Sequence, residues 1–157
     1  MNELSHHPHH HRTTVDATLY QAIILDHSKH PRNFGRLEAS TVQAQEVNRL
    51  CGDSLTVFAR LEGERVTEVQ FIGSACAVAT ASASLMTTLV RGKSRQEIAS
   101  LAEEFEQFLR TDCQASQRLE ELRAFEGVRH YAVRIKCALL PWKALQKSLV
   151  APPTVLP

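Results

Sequence analysis

Several absences narrow the function of this chain before any motif is read. No sign of charge dominates: eighteen Lys and Arg against seventeen Asp and Glu leave a formal charge of +1 over 157 residues. Nucleic acids and anionic membranes are bound through strongly basic faces, so neither partner is predicted. No apolar run is long enough to span a bilayer, and the most apolar stretch, Ser74 to Val90, is broken by hydroxyl residues. The first residues carry neither an apolar signal core nor the Arg-rich amphipathic pattern of organelle import, which predicts a cytoplasmic address. Internal repeats are absent, and so is any alternation of strand with helix. What is present is ordinary: 43% hydrophobic and 22% charged residues, enough for one compact domain without staples. A monomer is expected.

Residues 1–16 hold His6, His7, His9, His10 and His11 around Pro8 and read as a disordered tail outside the fold. Residues 17–150 read as the single domain, and residues 151–157, with Pro152, Pro153 and Pro157, as a second tail. Asp16 is placed to cap a helix with the apolar stripe Leu19, Tyr20, Ile23, Ile24, His27, stopped by Pro31 and Gly35. Leu55, Val57, Ala59 and Leu61 alternate with Thr56, Phe58, Arg60 and Glu62, the period of a half-buried strand. Glu62-Gly63-Glu64 reads as a turn, Arg65 to Ile72 as the antiparallel partner, and Val42 to Val47 as a weaker third strand. Helices are predicted over Cys76 to Val90, over Ser94 to Arg110 with Glu97 closing a capping box, and over Ala115 to Phe125. A last helix over Arg134 to Leu149 carries Ile135, Leu139, Trp142, Leu145 and Leu149 on one stripe. Strands first and helices afterwards predict an α+β fold, a three-stranded antiparallel sheet packed against several helices.

Paired C-x-x-C knuckles are also missing. The four cysteines, Cys51, Cys76, Cys113 and Cys137, are far apart, and a reducing compartment argues against disulfides. Cys51-Gly52-Asp53 falls between two strands, where a thiol and a carboxylate can turn toward one point. Cys76 sits at a helix N-terminus, where N–H groups and the helix dipole favour thiolate. Cys137 lies in the first turn of the last helix, away from its apolar stripe, between the cations Arg134 and Lys136. Three thiols and one carboxylate make a closed four-ligand set, which zinc accepts. A [2Fe–2S] cluster also takes four ligands, so the count does not name the metal. Spacing alone equally allows separate buried cysteines. Cys113 reads as structural, His27 and His130 as hydrogen-bonded structural histidines, and Lys29 and Arg32 as a solvated helix end.

Three segments resolve the ambiguity by likeness. Asn48-Arg49-Leu50-Cys51-Gly52-Asp53, Gly73-Ser74-Ala75-Cys76-Ala77-Val78 and Arg134-Ile135-Lys136-Cys137-Ala138-Leu139-Leu140-Pro141-Trp142 resemble, in order, the three cysteine motifs of the NifU/IscU/SufU family. Leu25 to Gly35 resembles its opening helix and turn, and the likeness runs from about Leu19 to Leu149. The chain is most similar to the SufU branch: it has an extra segment near Ser100 to Phe125, Lys136 where scaffold members have histidine, and no proline-valine-lysine chaperone motif. The resemblance implies a SufE/NifU-like sandwich and a role in iron–sulfur cluster assembly. It implies zinc held by Cys51, Asp53, Cys76 and Cys137, with Cys51 as the acceptor of persulfide sulfur and Arg134 as a functional cation beside it. The implied partners are a SufS-like cysteine desulfurase and the downstream assembly machinery, with the chain a sulfurtransferase-like acceptor more than a free-standing catalyst. The scaffold branch implies the alternative, a transient [2Fe–2S] cluster on the same ligands. Arg49, Ala75 and Pro141 depart from the family pattern.

Overall fold

The computed structural model describes residues 7–150, with the backbone alone over 7–16. Its elements in order are α1 (His7–Lys29), β1 (Val42–Asn48), β2 (Asp53–Glu62), β3 (Arg65–Ser74), α2 (Ala77–Leu89), α3 (Arg95–Arg110), a 3-10 segment (Gln117–His130) and α4 (Ala132–Val150). The strands form one antiparallel meander in the order β1-β2-β3, so the α+β sandwich read from the sequence holds. Residues 1–6 and 151–157 of the two expected tails, and the histidine side chains of the first, lie outside the described residues. The helical backbone of α1 begins at His7, so Asp16 lies inside that helix and does not cap it.

The sheet follows from side-chain alternation. Leu55, Val57 and Ala59 of β2 are buried toward the helices, in line with Asp53 at the strand's first position. On the opposite face Phe58 is buried beneath the guanidinium of Arg36, 5.4 Å from the ring centroid. The chain after α1 lies along the outer strand: Gly35 N–H donates to Phe71 O at 2.8 Å and Phe71 N–H to Asn33 O at 3.1 Å. That pairing covers part of an edge that would otherwise expose backbone donors and acceptors.

α4 is the central helix. It packs on β1 and β2 on one side and on α2 and α3 on others. Cys137, Ala138, Leu139, Leu140, Pro141 and Trp142 are therefore all buried, which corrects the single apolar stripe expected from the sequence. Cys137 is part of the core after all, because α4 has neighbours on nearly every side. The small residues of α2 make this close approach possible: Ala79, Ala81, Ser82, Ala83 and Ser84 are buried. Ser82 Oγ donates to Ala138 O at 2.6 Å and receives the Trp142 indole N–H at 3.2 Å, tying α2 to α4. The helix runs continuously through Pro141, although that residue removes one backbone donor and leaves the Cys137 carbonyl without its usual partner.

The helix expected over Ala115 to Phe125 is instead the 3-10 segment, broken at Glu120 by φ 48° and ψ −122°. Its larger buried residues, Leu119, Leu122, Phe125 and Val128, recur every third position, with Ala124 also buried between them. That is the period of a 3-10 turn and not of an α-helix. The capping box of α3 is as read, with Ser94 Oγ accepting Glu97 N–H and Glu97 Oε1 accepting Ser94 N–H. Among the described residues no helix is long and apolar enough to cross a membrane.

His27 joins α1 to α2 through a 2.7 Å hydrogen bond between its Nδ1 and Ser84 Oγ, and the same oxygen accepts Arg32 N–H at 2.8 Å. Burial holds this imidazole below its ordinary value of 6.5, and the nearby Arg32 cation adds to the effect. The unfolded chain thus takes up a proton at a higher pH than the folded chain. The contribution is full above pH 6.5 and is lost as pH falls toward the lowered folded value. Thermal melts are expected to show the midpoint dropping as pH falls through this window. His27→Gln should flatten that slope, and an unchanged slope in the variant contradicts the assignment.

Candidate metal centre

The site forms where three chain segments meet at one end of the sheet. Asn48 and Asp53 face each other as the last pair of the β1–β2 ladder, and residues 49–52 close the loop between them. Gly52, at φ +72°, makes the turn that sets Cys51 and Asp53 toward a common point. β3 continues to Ser74, after which Cys76 caps α2, its Sγ accepting Ala79 N–H at 3.5 Å. Gly73 lets the two strands close here: a Cβ would lie 2.1 Å from Ser54 O and 2.9 Å from Leu55 Cα, both backbone atoms. Cys137 arrives from the stretch of α4 at which the helix turns from exposed to buried.

The donor atoms converge. Cys51 Sγ, an Asp53 carboxylate oxygen and Cys137 Sγ all lie within 4.8 Å of one another. Cys51 Sγ and Cys137 Sγ are 3.1 Å apart, well beyond the ~2.05 Å of a disulfide bond. Cys76 stands beside this cluster and shares its cavity. Its backbone N–H donates to Asp53 Oδ1 at 2.8 Å. The four predicted ligands thus come to one place, three of them within mutual reach and Cys76 at the border.

Burial divides these residues sharply. Cys137 is 1% exposed and Asp53 2%, whereas Cys51 is exposed and Cys76 intermediate. Burial pushes the Cys137 thiol up, and the neighbouring Cys51, Cys76 and Asp53 side chains push the same way. A cation reverses this balance, because a bound metal holds its thiol ligands as thiolates. Asp53 Oδ2 is the one buried side-chain nitrogen or oxygen without a hydrogen-bond partner among the described residues. A buried carboxylate oxygen left unpaired is costly. A divalent cation at the centre of the thiols supplies the missing partner, so the donor set fits zinc, which binds both sulfur and carboxylate oxygen.

Around the donors lies a cavity of about 780 Å³ lined by Cys51, Cys76, Cys137, His130, Tyr131 and Arg134 among others. Arg134 is exposed, with its guanidinium 5.0 Å from the Tyr131 ring centroid, and lines the same cavity as the thiols. His27 is buried and hydrogen-bonded as expected, but His130 is not: it is exposed, edge-on to Tyr131 with centroids 6.4 Å apart. Cys113 is exposed, with its Sγ 3.7 Å from Gln107 O and outside the thiol cluster. Sequence reasoning did not single out Asn48, whose Nδ2 donates to Cys137 Sγ at 3.6 Å. An Asx residue at a strand end before a turn is the signal that could have found it.

Residues 19–151 match the family model described as the NifU-like N terminal domain. The chain belongs to that family. Its similarity to curated members of the NifU-like family is spread over most of the chain. The zinc-dependent sulfurtransferase SufU of Bacillus subtilis (strain 168) is 38% identical over 133 residues, covering 84% of this chain and 90% of the relative. The iron–sulfur cluster assembly scaffold protein IscU of Streptococcus pyogenes serotype M1 is 35% identical over 133 residues, covering 83% and 82%. Among solved structures, the N-terminal part of a nitrogen-fixing NifU-like protein from Brucella abortus superposes with a TM-score of 0.76 at 26% identity, over 81% of this chain and 89% of that one.

Asp53→Ala tests the role given to the orphaned oxygen. It removes a donor and strands the Cys76 N–H, and zinc retention against a competing chelator should fall by at least roughly tenfold. The alkylation rate of Cys51 should not fall. Unchanged zinc retention contradicts the assignment of Asp53 as a ligand.

Proposed function

We propose that this iron–sulfur cluster assembly protein is a zinc-dependent sulfur acceptor that takes persulfide sulfur from a SufS-like cysteine desulfurase in the cytoplasm and passes it to the downstream assembly machinery. The observation that carries the proposal is the division of labour among the clustered donors. Cys137 and Asp53 are buried and suited to holding an ion, while Cys51 alone of the clustered three is exposed to an incoming partner. The donor set adds support. Iron–sulfur clusters are held chiefly by cysteine, whereas zinc takes thiolate and carboxylate together.

Cys51, Asp53, Cys76 and Cys137 would hold zinc, which keeps the thiols deprotonated and shielded from oxidation. The chain's own residues do the rest. The Cys51 thiolate attacks the outer sulfur of the desulfurase persulfide. A new S–S bond forms on Cys51, the bond to the desulfurase cysteine breaks, and that cysteine leaves as a thiolate. Electrons and atoms balance without an added oxidant or reductant. Arg134, exposed on the cavity wall, offers a cation to the negative terminal sulfur, a charge-assisted contact that orients it.

The surface near Cys51 fits a protein partner. Leu50, next to it in the chain, is 69% exposed, and Tyr131 and Val133 on the cavity wall are 55% and 45% exposed. Exposed apolar side chains grouped at a reactive thiol mark a contact surface. The second reading, assembly of a transient [2Fe–2S] cluster on the same ligands, is favoured by the similarity to the streptococcal scaffold protein.

Two measurements decide between them. Cys51→Ala should reduce cysteine desulfuration to the rate of the desulfurase alone, and full stimulation by the variant overturns the acceptor role. Protein purified without oxygen should be colourless with one zinc per chain. Brown protein with acid-labile sulfide favours the scaffold.

A further inference from the structure

We infer that Asn48 is a positioning residue that fixes the order in which the clustered thiols react, presenting Cys51 and holding Cys137 back. The inference deepens the reading of Cys51 as sulfur acceptor and rests on it. Three contacts from this one residue carry it. The side-chain Nδ2 donates to Cys137 Sγ at 3.6 Å, Oδ1 accepts Leu50 N–H at 3.2 Å, and the backbone carbonyl accepts Cys51 N–H at 3.3 Å.

The first contact engages a lone pair of the Cys137 sulfur, and a lone pair held by a donor is less available for attack. The other two form an Asx-type turn that holds the loop with Cys51 at the rim. Asn48 is 8% exposed and faces Asp53 across the end of the strand pair, so its amide has little water to bond instead. Cys76 is restrained in the same manner, its sulfur accepting Ala79 N–H at 3.5 Å. Cys51 differs: among the described residues the one hydrogen-bond contact of its sulfur is the Cys137 sulfur, at 3.1 Å. Two of the three thiols are each restrained by an N–H donor, and the exposed one is free of such restraint. A sulfur acceptor sharing its site with two spare thiols needs that asymmetry, or persulfide would be delivered to a buried sulfur from which it cannot be passed on.

The test uses the zinc-loaded full chain, alkylated with iodoacetamide and mapped by peptide mass spectrometry over time. Wild type is expected to be modified at Cys51 ahead of Cys137. Asn48→Ser leaves a hydroxyl that can accept Leu50 N–H but is too short to reach Cys137. Cys137 should then be alkylated roughly tenfold faster, the effect of losing one hydrogen bond to a charged acceptor, while the Cys51 rate stays the same. An unchanged Cys137 rate overturns the inference, as does an equal acceleration at both cysteines. If N48S does not fold, N48D keeps the oxygen that Leu50 uses and removes the donor to sulfur, and the same Cys137 acceleration is expected. Desulfurase turnover measured beside it separates the two claims: failure of the wild type to stimulate it removes the acceptor reading, while the alkylation pattern still decides the role of Asn48.

Discussion

The second carboxylate oxygen of Asp53 is the constraint around which the molecule is arranged. Its partner oxygen is bound by the Cys76 N–H at 2.8 Å, yet Oδ2 itself is buried without a hydrogen bond. The fold therefore holds a desolvated carboxylate beside the Cys51 and Cys137 thiols, one of its oxygens within 4.8 Å of both sulfurs. An apolar contact cannot satisfy that oxygen, and among the described residues no side chain or backbone group meets hydrogen-bond geometry with it. A cation bound by the thiols and the carboxylate would relieve the cost and would hold Cys137 as thiolate, coupling metal binding to the folding of the site.

Rigidity comes from how deeply two of the supporting segments are packed. Cys137 belongs to a helix enclosed by sheet and helices, and Asp53 opens a strand paired on both sides. Cys51 sits instead on a four-residue loop, tied mainly through Asn48. Cys137 and Asp53 are thus held by packed elements, and Cys51 by a loop outside the core. This mechanical difference, more than any difference among the thiols themselves, suits the site to group transfer.

Much of this was legible in the sequence, for physical reasons that can be named. The strands show because one face is buried and the other wet, which alternation records. The Ser94–Glu97 capping box shows because its partners are local. The extent of burial of α4 did not show, since a helix with neighbours on nearly every side loses the single stripe that periodicity detects. The 3-10 segment was mistaken for an α-helix although Leu119, Leu122, Phe125 and Val128 keep a spacing of three. That the candidate donors form one set was legible only through motif likeness, because their meeting depends on three elements far apart in the chain. Asn48 was invisible as chemistry, since an amide gains its meaning from the sulfur that the fold brings to it.

X-ray absorption at the zinc edge of the purified native protein decides whether Asp53 and the three thiols hold one ion. The expected result is one zinc per chain with three sulfurs at about 2.3 Å and one oxygen at about 2.0 Å. A shell of four sulfurs, or a folded chain that retains no metal while its thiols stay reduced, would contradict it.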